Sequence, residues 1–197
     1  MEITQVTLDG ERVRLEPMTA AHLEPLTEAG AHSELWRWTR TVADTPETMR
    51  TYVDEALAEA AAGVSLPLVT VDHASGRVIG STRFGNIDRA NHRVEIGWTW
   101  ITPEFQRSHV NTEAKYLMLS HAFDTWQCVR VELKTDAFNA KSRAAMLRIG
   151  ATEEGTLRKH LLVQGDRYRD TVYFSILDTE WPTVRTVIET LMNRNRR

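Results

Sequence analysis

The sequence predicts a mixed α/β fold with one central sheet, in which antiparallel strands come first and strand–helix alternation follows. Three apolar runs separated by turn signals between residues 66 and 101 indicate an antiparallel meander. After residue 101, amphipathic helical patterns alternate with strand patterns, which is typical of strand–helix–strand–helix units. Because 197 residues with 42% hydrophobic content can bury one core and no linker-like segment interrupts them, we expect residues 1–197 to form a single domain.

In the N-terminal part, capping residues and apolar periodicity define the elements. We predict a strand over 12–16, a helix over 20–29 capped by Thr19, a helical stretch over 33–40, and a helix over 46–62 that begins at Pro46 and ends at Gly63. Trp36 and Trp38 are two residues apart, so they would point to different faces of a helix. We therefore expect one of them to face a ligand rather than the core.

In the C-terminal part, turn residues separate the remaining elements. We predict strands over 66–71, 77–83 and 93–101, a helix over 112–126, a strand over 130–134, a helix over 139–149 ended by Gly150, a hairpin of 157–163 and 169–177, and a last helix from Trp181. The last helix runs into a basic tail, residues 193–197. We expect this tail to be solvated and frayed.

The composition argues against a nucleic-acid-binding protein and against a membrane protein. The 24 lysines and arginines nearly balance the 27 aspartates and glutamates, so no extended basic field is available for nucleic acid. No apolar run approaches the length of a membrane span, and the first residues do not follow the signal-peptide pattern, so we expect a cytoplasmic protein with no membrane partner. The single cysteine, Cys128, has no Cys or His at metal-ligand spacing. It is predicted to be a buried apolar residue, and no metal site is predicted.

The most informative stretch is residues 101–123, where a strand-like run turns through a short polar loop into an amphipathic helix. The backbone N–H groups of residues 107–112 would have no partner inside that helix, and the helix dipole adds partial positive charge there. Such a loop can hold a pyrophosphate group. The sequence therefore predicts an anionic ligand at this point.

Three segments resemble the GNAT acetyltransferases, within the branch of ribosomal-protein N-terminal acetyltransferases. They are EIGWTWITPEFQRSHVNTEAK, RVELKTDAFNAKSRAAMLRIGATEEGTLRKH, and GDRYRDTVYFSIL followed by EWP. The similarity covers about residues 12–191. It implies the GNAT fold, a mixed and mostly antiparallel twisted sheet flanked by helices, with acetyl-CoA bound between two splayed parallel strands. It also implies direct acetyl transfer to an amine, without a metal or a covalent enzyme intermediate.

The resemblance also implies the cofactor contacts. These would come from Ile101, Gln106, Arg107, Ser108, His109, Val110, Asn111, Thr112, Asn139 and Ser142, with Arg107 and Lys115 as candidates for the outer phosphates. The family pattern has small residues where this chain has His109 and Asn111. If position 109 required a left-handed backbone, a residue other than glycine would cost about 1–2 kcal/mol there. The His109 imidazole is then either an added phosphate donor or a solvent-facing side chain.

The same resemblance suggests catalytic groups. Ser142 would protonate the leaving thiolate, and Asn139 would bond the pantetheine arm or serve only as a helix cap. Two residues remain open as the base that deprotonates the amine: Glu154, which is slightly favoured, and Glu95, which could instead face solvent. A backbone N–H from residues 98–101 would stabilise the oxyanion.

Aromatic residues predict the acceptor side. Those expected to bind the acceptor are Trp36, Trp38, Phe84 and Trp98. Trp100 lies in the same region of the sequence, and for at least two of these five residues packing in the core is the alternative. Further candidates for the lining of the acceptor site are His160, Tyr168 and Tyr173. An Arg169–Asp170 pair is expected to fix the last hairpin. The acceptor would be a primary amine, either a peptide or protein N-terminus or a small molecule. The alternative function is a catalytically inactive CoA-binding sensor or scaffold, and a homodimer is plausible.

Overall fold

The computed structural model describes residues 1–194, so residues 195–197 of the predicted basic tail lie outside the described part. The strands are β1 (Leu8–Asp9), β2 (Val13–Pro17), β3 (Leu66–Asp72), β4 (Val78–Asp88), β5 (Arg93–Ile101), β6 (Arg130–Asp136), β7 (Thr152–Val163) and β8 (Arg167–Leu177). The helices are α1 (Leu23–Gly30), α2 (Pro46–Ala61), α3 (Val110–Ser120), α4 (Ala140–Arg148) and α5 (Trp181–Arg194). No helix within residues 1–194 combines the length and apolarity needed to cross a membrane.

All eight strands form one sheet in the order β1-β2-β3-β4-β5-β6-β8-β7. Every pairing is antiparallel except β5 with β6, which is parallel. This confirms the predicted mixed, mostly antiparallel sheet. Each face of the sheet carries its own apolar core. One core packs β5, β6 and β8 against α3 and α5, and the other packs β3 and Trp100 against α1 and α2.

The parallel strands β5 and β6 separate soon after they meet. Their pairing covers only residues 93–95 with residues 130–132, although β5 continues to Ile101 and β6 to Asp136. The backbone groups that face each other beyond this point therefore lack a strand partner. We call this opening the β5–β6 gap. It confirms the predicted splayed parallel strands.

A β-bulge at Trp98 bends β5 beside the gap. The register between β4 and β5 shifts between Ser81 and Arg83, and Trp98 has a left-handed φ of 51°. A β-carbon at Gly85 would lie 2.4 Å from the Trp98 ring, so only glycine at this position leaves room for the indole. The bulge increases the local twist and turns the rest of β5 away from β6.

Several element boundaries differ from the predictions for identifiable reasons. The two-residue strand β1 is too short to show a period, and the predicted stretch over 33–40 contains only a short 3-10 helix at Ser33–Trp36. The predicted helix over 112–126 begins earlier, at Val110, and changes at His121–Thr125 into a π-helical turn. Strand β7 begins five residues before its predicted start, because residues 152–159 are exposed on both faces and lack alternation.

Candidate active site

The end of the connection from β5 together with the first turn of α3, residues 106–112 and here called the α3 loop, presents a row of backbone N–H groups. The amides of residues 107, 108, 109, 111 and 112 donate to no other group within residues 1–194. Regular helical bonding begins only with the N–H of Glu113, which donates to the His109 carbonyl at 3.0 Å. Such N–H groups carry the positive end of the helix dipole, so the α3 loop suits an anion with several oxygens.

Backbone strain in the α3 loop falls on Arg107 rather than on His109. Arg107 has a φ of 58°, whereas His109 has a φ of −67° in the right-handed region. The left-handed penalty considered for position 109 therefore does not arise. It applies instead to Arg107, where it is about 1 kcal/mol, and the exposed Arg107 side chain lies beside the row of N–H groups.

The His109 side chain lines a cavity of about 300 Å³ together with Glu11, Arg12, Asp72 and His73. Its Nε2 atom is buried and has no hydrogen-bond partner. Burial, followed by the charge of Arg12, lowers the pKa of His109 below its usual value. Without a ligand, the imidazole is therefore mostly neutral at pH 7 and adds little positive charge to the α3 loop.

Side chains of the α3 loop largely bond within the protein. The Gln106 amide donates to the Ile101 carbonyl at 3.0 Å, and the Ser108 hydroxyl donates to a carbonyl three residues earlier at 2.6 Å. The Thr112 hydroxyl accepts a hydrogen bond from Arg148 at 2.8 Å. These contacts brace the loop, so the predicted contribution of these residues to cofactor binding rests on their backbone.

Lys115 lies beneath the sheet and not at the outer phosphate position suggested for it. Its Nζ donates to the Thr99 hydroxyl at 2.8 Å, and Thr99 shares a second hydrogen bond of 2.8 Å with Thr82. Burial lowers the pKa of Lys115 to about 7. Among the other predicted cofactor contacts, Val110 belongs to the apolar core and Asn111 is half-buried.

Asn139 and Ser142 stand at the N-terminus of α4, close to the end of β6. The Asn139 side-chain oxygen caps the helix by accepting from the Ser142 N–H at 3.1 Å. The structural role of Asn139 is thus present, and its Nδ2 remains available as a donor. The Ser142 hydroxyl is half-exposed and forms no hydrogen bond within residues 1–194, so it can serve a ligand.

Glu95 is the carboxylate at the point where β5 and β6 separate. Its neighbours Val94 and Ile96 enter the apolar core, and Glu95 itself, on the opposite face, is only 3% exposed and does not face solvent. Its Oε2 lies 2.7 Å from Lys134 Nζ and accepts from Asn86 Nδ2 at 2.5 Å. Its Oε1 extends over Gly97, where a β-carbon would come within 2.8 Å of it. The carboxylate is therefore held beside the Trp98 bulge.

Glu154 lies two strands away from the β5–β6 gap, on β7. Both of its oxygens accept from the Arg130 guanidinium, one of them at 2.7 Å, and the Ser175 hydroxyl donates to it at 2.8 Å. The bond from Arg130 is the main reason that the pKa of Glu154 is lowered to about 2. The structure pairs Glu154 with Ser175 and does not bring it to Ser142. A carboxylate of this pKa is a very weak base at pH 7.

The four predicted acceptor aromatics divide into two pairs. Trp36 and Phe84 are core residues: Trp36 packs on Trp100 at 5.2 Å and donates to a backbone carbonyl, and Phe84 packs on Trp126 at 4.6 Å. Trp98 is 37% exposed beside the gap, and Trp38 is half-buried beneath the Arg167 guanidinium. Only Trp38 and Trp98 can therefore meet a ligand without rearrangement of the core.

The last hairpin also differs from expectation. The Asp170 carboxylate accepts from the Lys159 backbone N–H at 2.7 Å instead of pairing with its neighbour Arg169, so the expected Arg169–Asp170 pair does not form. The Tyr173 ring lies 6.0 Å from His160, while Tyr168 is exposed.

Sequence reasoning missed Lys134 and Asn86, the two partners of Glu95. Lys134 could have been found, because Val131 and Leu133 are apolar and alternation on β6 then places Lys134 on the other face with Glu95. Asn86 depends on a bulge in β4, where it adopts a left-handed φ of 47°. The alternation of apolar and polar residues does not predict such a bulge.

Cys128 is buried, as predicted, and burial raises its pKa to about 11. A thiol of this pKa carries almost no thiolate at pH 7 and is a poor nucleophile. Within the described residues 1–194, no group of three or more His, Cys, Asp and Glu side chains is arranged to hold a metal ion.

Comparison with known proteins places this geometry in a family. The sequence matches the acetyltransferase (GNAT) domain family over residues 12–152. YdaF of Bacillus subtilis strain 168 is 38% identical over 106 residues, which are 54% of this chain and only 57% of that protein. The ribosomal-protein-serine acetyltransferase of Escherichia coli K12 is 21% identical over 184 residues, which are 90% of this chain and 100% of that protein.

Solved structures show the same fold. A GCN5-related N-acetyltransferase from Brucella melitensis superposes with a TM-score of 0.89 at 31% identity, covering 96% of this chain and 86% of that one. RimJ of Mycobacterium smegmatis in complex with CoA-disulfide has a TM-score of 0.79 at 24% identity, covering 91% of this chain and 88% of that one. Because the domain match spans more than half of the chain and agrees with the splayed sheet, the protein belongs to the GNAT acetyltransferase family.

Proposed function

We propose that this protein transfers the acetyl group of acetyl-CoA to a primary amine by direct attack in a ternary complex. One observation carries the proposal: the gap between the splayed strands β5 and β6 adjoins the unpartnered N–H groups of the α3 loop. An extended ligand with an anionic end and a chain of amides fits this arrangement. Acetyl-CoA has both features.

The residues present suit acetyl-CoA at each end. The amides of residues 107–109, 111 and 112 would bind the pyrophosphate, and the exposed Arg107 guanidinium would add a charged contact. The unpaired backbone groups of β5 and β6 along the gap would bond the amides of the pantetheine arm, much as an added strand does. Asn139 Nδ2 would be a further donor.

Bound acetyl-CoA would supply an acyl carbon activated by its thioester. In this chain, a backbone N–H from residues 98–101 would stabilise the oxyanion, because β5 turns away from β6 there. The free Ser142 hydroxyl would protonate the departing thiolate. Since a thiol has a pKa near 8.5, this proton is worth only about one to two orders of magnitude in rate.

Glu95 is the better candidate for the base. It lies beside the bulge, with Oε1 directed along β5, whereas Glu154 is tied to Arg130 and has a pKa of about 2. An α-amine with a pKa near 8 needs about 1.4 kcal/mol to become neutral at pH 7, and a lysine side chain needs more than three times as much. A carboxylate acting through water is sufficient for an α-amine.

We therefore favour a peptide or protein N-terminal α-amine as the acceptor, with Trp38 and Trp98 lining its entrance. The name of the Escherichia coli relative, a ribosomal-protein-serine acetyltransferase, supports an acceptor of this kind. A cytoplasmic location follows from such a substrate.

The experiment is a calorimetric titration of the purified chain with acetyl-CoA and, as a matched ligand, acetyl-pantetheine, which lacks the pyrophosphate. We expect micromolar affinity for acetyl-CoA and at least 100-fold weaker binding of acetyl-pantetheine, because the N–H row binds only the former. Acetylation of peptides with free and blocked N-termini is then followed by mass spectrometry. Absence of acetyl-CoA binding would overturn the proposal, and binding without transfer to any amine would favour the sensor or scaffold.

A further inference from the structure

Charged side chains line the face of β5, β6 and β8 that carries Glu95, and five of them lie toward the end where β5 and β6 have separated. This charged cluster consists of Glu95, Lys134, Asp136, Arg167 and Arg169. Alternation on β8 places Arg167 and Arg169 on this face, because Val172, Phe174 and Ile176 enter the core on the other. Three cations therefore face two anions, which leaves one positive charge in excess.

Both carboxylates of the charged cluster are already engaged. Asp136 is fully buried, accepts from Arg167 Nη2 at 2.5 Å through Oδ2, and accepts from the Phe138 N–H at 2.9 Å through Oδ1. Glu95 is held by Lys134 and Asn86, as described above. Neither carboxylate therefore forms an ion pair with the remaining member of the cluster, Arg169.

Arg169 is 93% buried, and yet its guanidinium forms no hydrogen bond or ion pair within residues 1–194. Its Nε atom is enclosed without a hydrogen-bond partner, whereas the two terminal nitrogens keep some contact with solvent and can be reached by a ligand. Burial lowers the pKa of Arg169, and the nearby Asp136 and Glu95 only partly offset this effect. Arginine nonetheless stays charged at any physiological pH, so a guanidinium without a direct partner lies near Asp136 and Glu95.

An arrangement of this kind is unfavourable in the protein alone. A largely buried charge without a partner destabilises a fold, and buried polar groups in folded proteins nearly always find a partner. Guanidinium groups bind carboxylates through two parallel N–H···O bonds. A carboxylate supplied by a ligand would both satisfy Arg169 and neutralise the excess charge of the cluster.

We propose that Arg169 binds a carboxylate of the acceptor and thereby selects acceptors that carry one near the reacting amine. The inference rests on the proposed acetyl transfer, since the acceptor must reach Glu95 and the Trp98 bulge on the same face. Aromatic surface accompanies the charge: Trp38 and Phe138 pack at 6.0 Å, and the Arg167 guanidinium lies over both rings. The carboxylate belongs either to an acidic side chain next to a peptide N-terminus or to a free amino acid.

The test measures acceptor binding separately from catalysis. The chain is saturated with CoA, which cannot react, and titrated with two matched pairs: Ala-Glu-Ala-amide against Ala-Gln-Ala-amide, and alanine against alaninamide. We expect the acidic member of one pair to bind at least 10-fold more tightly. Preference within the peptide pair assigns the carboxylate to an acidic side chain, and preference within the alanine pair assigns it to the α-carboxylate.

The variant Arg169→Gln should remove this preference while the affinity for CoA changes less than twofold. Arg158→Gln, which removes an exposed arginine from β7, is the matched control and should retain the preference. The melting temperature of Arg169→Gln should be unchanged or higher, because an unpaired buried charge is lost; a marked decrease would indicate a structural role and overturn the proposal.

Equal binding of the acidic and neutral acceptors by the unmodified chain, or loss of CoA binding in Arg169→Gln, would also overturn the proposal. If the acidic acceptor binds preferentially through Arg169 but is not acetylated when acetyl-CoA replaces CoA, the carboxylate site stands and the proposed acetyl transfer fails. The two failures are therefore distinguishable.

Discussion

The α3 loop and the charged cluster lie on either side of the β5 bulge and are built by different means. The α3 loop offers backbone N–H groups, and most of its side chains bond within the protein. The charged cluster consists of side chains, of which all but Arg169 are paired. A site made of backbone tolerates residue changes, whereas a site made of side chains depends on each one. The anion site proposed for the α3 loop is therefore compatible with His109 and Asn111, although the family pattern has small residues at these positions.

The largest expected effect is a loss of activity on substitution of Glu95, a member of the charged cluster. Glu95→Gln should lower kcat/KM for a peptide acceptor by about 100- to 1000-fold, because the variant loses the base but keeps its shape. Steady-state kinetics with a peptide acceptor measures the loss, and the affinity for acetyl-CoA should change less than threefold by calorimetry.

Glu154→Gln is the matched control and should change kcat/KM less than threefold. Because the pKa of Glu154 is lowered from 4.5 to about 2, its interactions stabilise the fold above about pH 4.5 and this contribution is lost as pH falls toward 2. The control should therefore reduce stability at pH 7 but not activity. A larger kinetic loss in Glu154→Gln than in Glu95→Gln would reverse the assignment of the base.

The second-largest expected effect is on stability and concerns Lys115, which lies beneath the β5 bulge, between the α3 loop and the charged cluster. Lys115→Met should raise the free energy of unfolding at pH 7 by about 2–3 kcal/mol, because it removes a buried amine while Thr82 and Thr99 continue to bond each other. Urea unfolding monitored by tryptophan fluorescence measures the change. The exposed Lys141→Met is the control and should have little effect.

The pH dependence of this stability has a defined sign. The pKa of Lys115 is about 7 in the folded protein and 10.5 in its ordinary state, so the unfolded chain binds more protons between these values. Stability contributed by this group therefore rises as pH increases from 7 to 10.5. Lys115→Met should abolish that rise. An unchanged pH profile would mean that the amine is charged when folded.

A smaller effect compares two positions of the α3 loop. Arg107→Gly should raise the free energy of unfolding by about 0.5–1 kcal/mol because its backbone is left-handed, and His109→Gly should lower it by a similar amount because its backbone is right-handed. Thermal unfolding without ligand measures both. If glycine at 109 stabilised the chain and glycine at 107 did not, the strain would lie at the position suggested by the family pattern.

The smallest effect belongs to Cys128, which lies outside both regions. Cys128→Ala should change kcat less than twofold, since the thiol is buried, has a pKa of about 11, and takes no part in direct transfer. Acetylation kinetics with a peptide acceptor measures it. A loss of two orders of magnitude with an unchanged circular dichroism spectrum would point to a covalent intermediate.

Local sequence patterns were sufficient to predict many of the helices and strands. Strand β5 matches its predicted span, and α2 begins at the predicted Pro46 and ends one residue early, because alternation, a capping threonine and proline act over a few residues. The splayed strands and the acetyltransferase family followed from resemblance in the segments around the α3 loop and α4. The row of N–H groups was predictable for the same reason, since any loop that enters a helix leaves them unpaired.

The tertiary structure decided which side chains are available for chemistry. Pairing with Arg130, which reaches across the intervening strand β8, makes Glu154 a weak base, and the bulge of β4 brings Asn86 to Glu95. Packing placed Trp36 and Phe84 in the core and left Trp98 beside the gap. Burial and pairing between distant strands are properties of the assembled sheet. The sequence by itself therefore determined the fold and the backbone of the proposed cofactor site, and the packed structure determined the charges that an acceptor would meet.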